Sequence, residues 1–252
     1  MTCHLRYWIT FIICLLLYPA EITAAAETIN AEERGKIEQV IQDYLLANPE
    51  FMLDVFERVT RYQKDRESER VRDNLVSFSD ELYDDPNSVA VGSPKADVTI
   101  VEFFDYRCSY CKRNHPILTA YRDRNSGVKI VYKEYPILGP ESVLASRAAI
   151  ASRQQGKYWD FHNALMSTRG KLTEQRVFKL AAEVGLDVDR LRDDIRSPAV
   201  NRIIQDNYRL AKALGVKGTP GFVIGDNVIP GFLSAENLER AVLNARESCL
   251  SC

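Results

Sequence analysis

The sequence predicts an α/β domain in which a mixed β-sheet carries helices on both faces. An all-helical insertion interrupts this domain, and an N-terminal helical segment precedes it. Three observations lead to this prediction. Residues 30–83 have helical apolar spacing, two buried-strand runs flank one helix between residues 97 and 137, and residues 141–214 are patterned only as helices. Strands that alternate with helices are typical of a sheet covered on both faces.

The first residues have the layout of a secretory signal. A short basic start is followed by the apolar run ITFIICLLLY and by small residues in ITAAAE, which place a cleavage site near Ala24 to Ala26. The apolar run is about half as long as a spanning helix, so a permanent membrane anchor is the less favoured interpretation. We predict that residues 1–26 are a signal peptide and that the chain is exported.

Charge and cysteine content narrow the function. The net charge of −2 gives no basic excess and so does not indicate a nucleic-acid partner. Cys3 and Cys14 lie in the predicted signal peptide. The other four cysteines form two C-x-x-C pairs, Cys108 with Cys111 and Cys249 with Cys252. Disulfides persist outside the cytosol, but a domain of this length can bury a core without them. We therefore expect the thiols to take part in a reaction and not to stabilise the fold.

The N-terminal segment, residues 27–86, is predicted to be helical. Asn30 and Glu33 have the spacing of a capping box, and Pro49 begins a second helix after Asn48. Apolar residues recur at helical spacing in three stripes: Ile37, Val40, Ile41, Tyr44 and Leu45; Met52, Phe56 and Val59; and Val71, Leu75, Phe78 and Leu82. The charged run RYQKDRESERVRD between them is either a solvated helix or a flexible connector. The main domain is predicted to span residues 87–248.

Within the main domain, DVTIVEFFDY is predicted to be a buried strand, followed by a helix from about Cys108 to Arg124 and a second strand, VKIVYKEYPI. The insertion, about residues 141–214, has good helix starts at Thr173, Asp187 and Ser197-Pro198. A hairpin that turns at residues 225–227 and a helix from Ser234 to about Arg246 complete the domain. Without the insertion, this order is the thioredoxin topology.

Cys108 is the predicted nucleophile because it lies where a buried strand passes into a helix. Free backbone N–H groups and the positive end of the helix dipole favour a thiolate there. Arg107, Lys112 and Arg113 are expected to add positive potential. A cysteine in such a position has its pKa lowered from about 8.5 to between about 3.5 and 7.5. Cys111, one turn into the helix, is expected to be buried and to act as the resolving thiol.

Glu102 lies six residues before Cys108 in an apolar run, where an acid is costly unless it has a partner or a function. Strand alternation predicts that it lies under the helix start, within reach of Cys111 through a water molecule. There it would move the proton as the mixed disulfide resolves. The alternative is an acid on the polar face of an edge strand.

Thr219-Pro220 in GTPGF precedes the hairpin, and a cis bond there would form a tight turn beside the reactive sulfur. The backbone of Thr219 would then be free to bind a substrate chain as an added strand, with little dependence on substrate sequence.

The segments VEFFDYRCSYCKR, VYKEYPILGPES, YWDFHNALM and GVKGTPGFVIG resemble the DsbA-like thiol–disulfide oxidoreductases. Among them, the ScsC and Com1 type has an N-terminal helical oligomerisation region similar to IEQVIQDYLLANPEFML. The resemblance implies a periplasmic enzyme without a cofactor, with Cys108 as nucleophile, Cys111 as resolving cysteine and a cis Pro220. Ser109 and Tyr110 are expected to bind substrate together with Thr219 and Pro220. A threonine before the cis proline, as at Thr219, resembles the isomerase-type members of this family.

The expected function is oxidation or isomerisation of disulfides. The expected partners are unfolded or misoxidised exported proteins, a membrane reductase or oxidase, and sister chains in a homo-oligomer, for which a trimer is the expected form. The alternative is a thiol-based metal-handling protein, for copper, of the cell envelope. Cys249 and Cys252 are a terminal disulfide without function, a second redox pair or a metal ligand pair. We predict no metal site elsewhere, since His115 and His162 are expected to be structural or solvated.

Overall fold

A five-stranded mixed sheet organises the chain in a computed structural model, which describes residues 30–248. The predicted signal peptide and the Cys249/Cys252 tail lie outside the described residues. The strands are β1 (Val89–Gly92), β2 (Val98–Phe104), β3 (Val128–Glu134), β4 (Gly221–Ile224) and β5 (Asn227–Pro230). Their order in the sheet is β1-β3-β2-β4-β5, in which only β2 and β3 are parallel.

The N-terminal region is helical, as predicted. Its helices are α1 (Ala31–Ala47), α2 (Pro49–Ser77) and α3 (Ser79–Tyr83). Asn30 and Glu33 form the capping box: the Asn30 side chain accepts from the Glu33 N–H at 2.9 Å, and the Asn30 N–H donates to the Glu33 carboxylate at 3.2 Å. The charged run, residues 61–73, is part of α2 and is mostly exposed, which agrees with a solvated helix.

The described chain divides into two compact units between Tyr62 and Gln63. In the first unit, large apolar side chains are exposed in the single chain: Ile37, Val40, Ile41, Tyr44, Leu46, Phe51, Leu53, Phe56, Val59 and Tyr62. The second unit begins earlier in the chain than the boundary predicted near residue 86. The physical reason is that Leu75 and Leu82 are buried against the sheet, in a cluster with Val101 and Phe103.

β1 was not predicted. It is an edge strand of four residues that pairs antiparallel with β3, with Val91 opposite Ile130. Turn-forming residues lie at both of its ends, with Pro86 and Asn87 before it and Gly92 as its last residue, so its apolar alternation is too short to stand out.

The remaining helices are α4 (Ser109–Arg124), α5 (Pro140–Ser152), α6 (Tyr158–Ser167), α7 (Glu174–Glu183), α8 (Val188–Asp194), α9 (Pro198–Ala213) and α10 (Ala235–Ser248). The predicted starts are confirmed, because the side chains of Thr173, Asp187 and Ser197 cap α7, α8 and α9. With the α5–α9 insertion removed, the order β2-α4-β3-β4-β5-α10 is that of a thioredoxin fold. No helix within residues 30–248 is long and apolar enough to cross a membrane.

The two faces of the sheet have separate apolar clusters. Ile100 and Phe104 of β2 belong to the cluster that contains Cys111 of α4, whereas Val101 and Phe103 belong to the cluster with Leu75. Because side chains alternate along a strand, Glu102 lies on the α4 face of the sheet. β2 pairs with strands on both sides, which excludes the edge-strand alternative for Glu102.

Candidate active site

Cys108 is the N-cap of α4 and has extended backbone angles, φ −71° and ψ 116°. Its Sγ accepts the backbone N–H of Cys111 at 3.3 Å, and its thiol donates to the carbonyl oxygen of Thr219 at 3.2 Å. Both cysteines are free thiols and are buried: Cys108 is 6% exposed and Cys111 is fully covered. The Cys108 sulfur therefore lies between a helix N-terminus and the loop that carries Thr219.

The two thiols have opposite electrostatic environments. Hydrogen bonding from Cys111, through its side chain and its backbone N–H, lowers the pKa of Cys108 to about 6, although burial opposes this shift. At pH 7 roughly 90% of an acid with that pKa is ionised. Burial is the main cause that raises the pKa of Cys111, and its hydrogen bond to Cys108 and the charge of Glu102 add to it. These opposite shifts favour a thiolate at Cys108 and a protonated thiol at Cys111.

Glu102 is fully buried on β2, opposite Tyr132 of β3 and Phe222 of β4. Neither carboxylate oxygen has a hydrogen-bond partner within the described residues. Burial, and then the charge of Cys108, raise the pKa of Glu102 to about 8. A buried acid that is coupled to both cysteines and titrates near neutral pH has the properties of a proton carrier.

The three cations near Cys108, Arg107, Lys112 and Arg113, are not among the causes that lower its pKa, contrary to the prediction. Arg107 pairs with Glu141 at 3.0 Å, and the Lys112 ammonium donates to the Leu165 carbonyl at 3.3 Å. Arg113 lies over the rings of Tyr110 and Phe232, at 5.5 and 4.8 Å from their centroids. Each cation thus has another partner, and hydrogen bonds carry the lowering of the Cys108 pKa.

Asp105 is a positioning residue that the sequence analysis missed. Its buried carboxylate accepts from the Arg107 N–H at 2.7 Å, the Leu138 N–H at 2.9 Å and the Ser142 hydroxyl at 2.8 Å. Its own carbonyl accepts the Cys108 N–H at 3.0 Å. The loop before the nucleophile is thereby tied to the loop that enters α5. The one available signal was an acid at the end of an apolar strand.

The Thr219–Pro220 peptide bond is cis, as the resemblance implied. Pro220 is buried, Thr219 is half-buried, and the Pro220 carbonyl accepts the Gly231 N–H at 2.8 Å. Ser109 and Tyr110 are exposed beside Cys108. The structure thus brings together the predicted residues on β2, at the start of α4 and in the loop before β4.

The two histidines of the described chain lie in buried hydrogen-bonded positions. His162 Nδ1 is 2.9 Å from the Tyr106 hydroxyl, and His115 Nε2 is 2.8 Å from the Asn163 side-chain oxygen. Tyr106 also donates to the buried carboxylate of Glu134, whose pKa burial raises to about 8. Within residues 30–248, no group of three or more His, Cys, Asp or Glu side chains has the arrangement of a metal site.

A thioredoxin fold with a dithiol at a helix start and a cis-proline loop against its first sulfur defines the class of thiol–disulfide exchange proteins. The model of the DSBA-like thioredoxin domain matches residues 99–243, more than half of the chain, and the protein belongs to this family. The resemblance stated in the sequence analysis is confirmed.

Solved structures agree with this assignment. A thioredoxin-like oxidoreductase from Silicibacter pomeroyi DSS-3 is 47% identical with a TM-score of 0.65, covering 67% of this chain and 97% of its own. BcfH of Salmonella enterica Typhimurium is 28% identical with a TM-score of 0.70, covering 85% of this chain and 96% of its own. Proteus mirabilis ScsC in a transitional conformation is 26% identical with a TM-score of 0.64, covering 87% and 99%.

Curated relatives include the Na+/H+ antiporter NhaA 3 of Salinispora tropica, which is 30% identical over 165 residues. That alignment takes in 64% of this chain and 25% of the antiporter, so the chain spans about a quarter of the length of the curated relatives it matches.

Proposed function

We propose that this protein is a periplasmic disulfide isomerase, a thiol–disulfide oxidoreductase that acts on exported proteins through Cys108 and Cys111. The observation that carries the proposal is the asymmetry of the pair. Cys108 has a pKa of about 6 and faces Thr219, whereas Cys111 is fully buried and its pKa is raised.

The reaction starts when the Cys108 thiolate attacks a substrate disulfide. A bond forms between Cys108 and one substrate sulfur, and the other substrate sulfur leaves as a thiolate. In isomerisation, that thiolate attacks a further substrate disulfide, and a substrate thiolate finally displaces Cys108, so no electrons are gained or lost. If Cys111 attacks instead, the substrate leaves reduced and a Cys108–Cys111 disulfide forms. A membrane reductase must then return two electrons to the pair.

Substrate binding beside Cys108 uses the backbone of Thr219. The Thr219 carbonyl accepts the Cys108 thiol only while that thiol is protonated, and it loses this donor when Cys108 ionises or bonds to a substrate sulfur. The Thr219 backbone can then pair with the substrate main chain as with an added strand. Ser109 and Tyr110 are exposed at the same site and contact the substrate side chains nearest its cysteine.

Glu102 accepts the proton that Cys111 must lose when it attacks the mixed disulfide. We expect Glu102→Gln to slow this resolution step about tenfold or more, as removal of a general base does. The carboxylate form is the base and burial raises its pKa to about 8, so resolution by the unaltered protein should accelerate as pH rises through that region. Burial, the larger cause, persists in the mixed disulfide, where Cys108 carries no charge. Stopped-flow measurement of mixed-disulfide decay between pH 6 and 9 tests this.

Glu134→Gln is the matched control for Glu102→Gln. Glu134 is also buried with a pKa of about 8, but its carboxylate is bonded to Tyr106 and Tyr158. The Glu134→Gln variant should leave the pH dependence of mixed-disulfide resolution unchanged. An unchanged resolution rate in Glu102→Gln would assign Glu102 a structural role.

The isomerase direction is tested by two measurements. Alkylation of the protein in intact cells should trap Cys108 and Cys111 as thiols, because an isomerase must be reduced to attack wrong disulfides. The purified reduced protein should also restore activity to a scrambled, disulfide-bonded ribonuclease. A trapped Cys108–Cys111 disulfide, together with rapid oxidation of reduced substrates, would identify an oxidase. Failure to exchange with any disulfide would overturn the proposed function.

A further inference from the structure

We infer that α2 forms one wall of the groove that binds the substrate polypeptide beyond Pro220. The inference rests on the proposed function of the Cys108 site and adds a second binding surface to it. The occupant is an extended segment of an unfolded substrate chain, next to the cysteine that is bonded to Cys108.

The groove has a volume of about 710 Å³ and lies in the unit that begins at Gln63. Its walls come from three parts of the chain: Glu67, Ser68, Val71 and Arg72 of α2, the loop of residues 214–221 that contains the cis-proline, and residues 226–231 of β5 and its flanks.

The part of α2 that belongs to this unit, residues 63–77, is packed against the rest of it. The Asn74 side chain donates to the Ala213 carbonyl at 2.6 Å, and Leu75 is buried in the cluster that contains Leu214 and Val216. At Gly215 the approach is close: a β-carbon there would lie 3.6 Å from the Glu67 carboxylate and 3.9 Å from a Val71 methyl group. The helix is therefore a fixed wall in front of the loop that leads to Thr219.

The groove is continuous with the proposed active site. Thr219 lines it, and the Thr219 carbonyl is 3.2 Å from the Cys108 sulfur. The bond from the Gly231 N–H to the Pro220 carbonyl holds the end of β5 beside the cis-proline. β5 is an edge strand, and the groove extends along it as far as Asp226. At about 3.3 Å per residue, this length suits an extended chain of about four residues.

The lining suits a polypeptide more than a charged small molecule. Val71, Val216, Val228 and Ile229 supply apolar surface, and the charged members are balanced in sign: Glu67, Arg72, Lys217 and Asp226. An unfolded chain exposes apolar side chains that its native fold would bury, and an edge strand binds extended backbone with little dependence on sequence.

Ser68→Trp tests the inference, because Ser68 is an exposed residue of the α2 wall and a large ring there would obstruct the groove. Glu69→Trp is the matched control on the same helix, since Glu69 is exposed but does not line the groove. The full chain of each variant is mixed with a ten-residue peptide that carries a central cysteine as a mixed disulfide, and separately with oxidised glutathione. We expect Ser68→Trp to lower the second-order rate constant for the peptide by about tenfold. Its rate with glutathione, and both rates of Glu69→Trp, should stay unchanged.

Charge reversal provides a second test that does not depend on steric fit. Glu67→Lys should shift the protein's preference from peptides with basic residues beside the cysteine towards peptides with acidic residues there. Glu69→Lys should leave this preference unchanged. Glu67 forms an i,i+3 ion pair with Arg70, and Glu69 forms one with Arg66. Each variant therefore loses one comparable ion pair of the helix. Unchanged peptide rates in Ser68→Trp and unchanged preference in Glu67→Lys would overturn the inference. If the unaltered protein fails to react even with oxidised glutathione, the proposed function fails instead.

Discussion

Replacing Cys108 with alanine is expected to lower the rate of thiol–disulfide exchange by at least about a thousandfold, the size of loss seen when a nucleophile is removed. Replacing Cys111 is expected to have a different result: mixed disulfides between Cys108 and substrate proteins accumulate, because the thiol that would release them is gone. Non-reducing electrophoresis followed by mass spectrometry identifies the trapped cysteine. With Cys111 present, alkylation of Cys108 should reach half of its full rate near pH 6 and come close to the full rate about one pH unit higher, because the thiolate is the reactive form.

The control for these variants is the double change Cys249→Ser with Cys252→Ser, which leaves the Cys108 pair intact. It should trap the same substrates once Cys111 is also replaced. Traps that form mainly through Cys249 or Cys252 would show that the two C-x-x-C pairs have been assigned the wrong roles.

The protein without residues 1–26 is expected to be a trimer by light scattering, and a shortened chain that begins at Gln63 is expected to be a monomer. The ten large apolar side chains exposed along α1 and the first part of α2 are the reason. Helices of this kind are stable only when their apolar stripe is covered, and sister chains can supply that cover. Several Cys108 sites in one assembly would allow an isomerase to sample substrate pairings.

The start point of the shortened chain matters for this experiment. Cutting near Pro86, at the predicted domain boundary, would remove Leu75 and Leu82 from the core, and each buried leucine contributes about 2–5 kcal/mol to stability. Val40→Asp is a milder test: Val40 is 67% exposed in the single chain, and the change should convert trimer to monomer. Gln39→Asp, on the opposite face of α1, is its control. A monomeric unaltered protein would contradict the proposal and favour an oxidase.

Local sequence patterns were sufficient to predict the position of Cys108 in the fold. The C-x-x-C spacing at the end of an apolar run predicted Cys108 at a helix start, and the Thr-Pro pair before a hairpin predicted the loop that faces it. Strand alternation also placed Glu102 on the face below α4. These features depend on neighbours close in sequence, which is why they could be read from the sequence.

Features that depend on distant partners could not be predicted in this way. Asp105 is held by Leu138 and Ser142, more than thirty residues away. The sequence predicted that the cations near Cys108 add positive potential there, but Arg107 and Lys112 are bonded to Glu141 of α5 and Leu165 of α6. β1 is recognisable as a strand only through its pairing with β3.

Cys108 is only 6% exposed, so a substrate disulfide must enter the site to meet its sulfur. We expect a disulfide on a rigid, folded surface to be kept from this sulfur, because the protein around that disulfide would collide with Thr219 and its neighbours first. A disulfide on a loose segment can enter. We therefore expect the proposed exchange reaction to spare correctly paired disulfides of folded proteins and to act on disulfides of proteins that are still folding. Such selection would depend on the mobility of the substrate segment and would not require recognition of a particular substrate sequence.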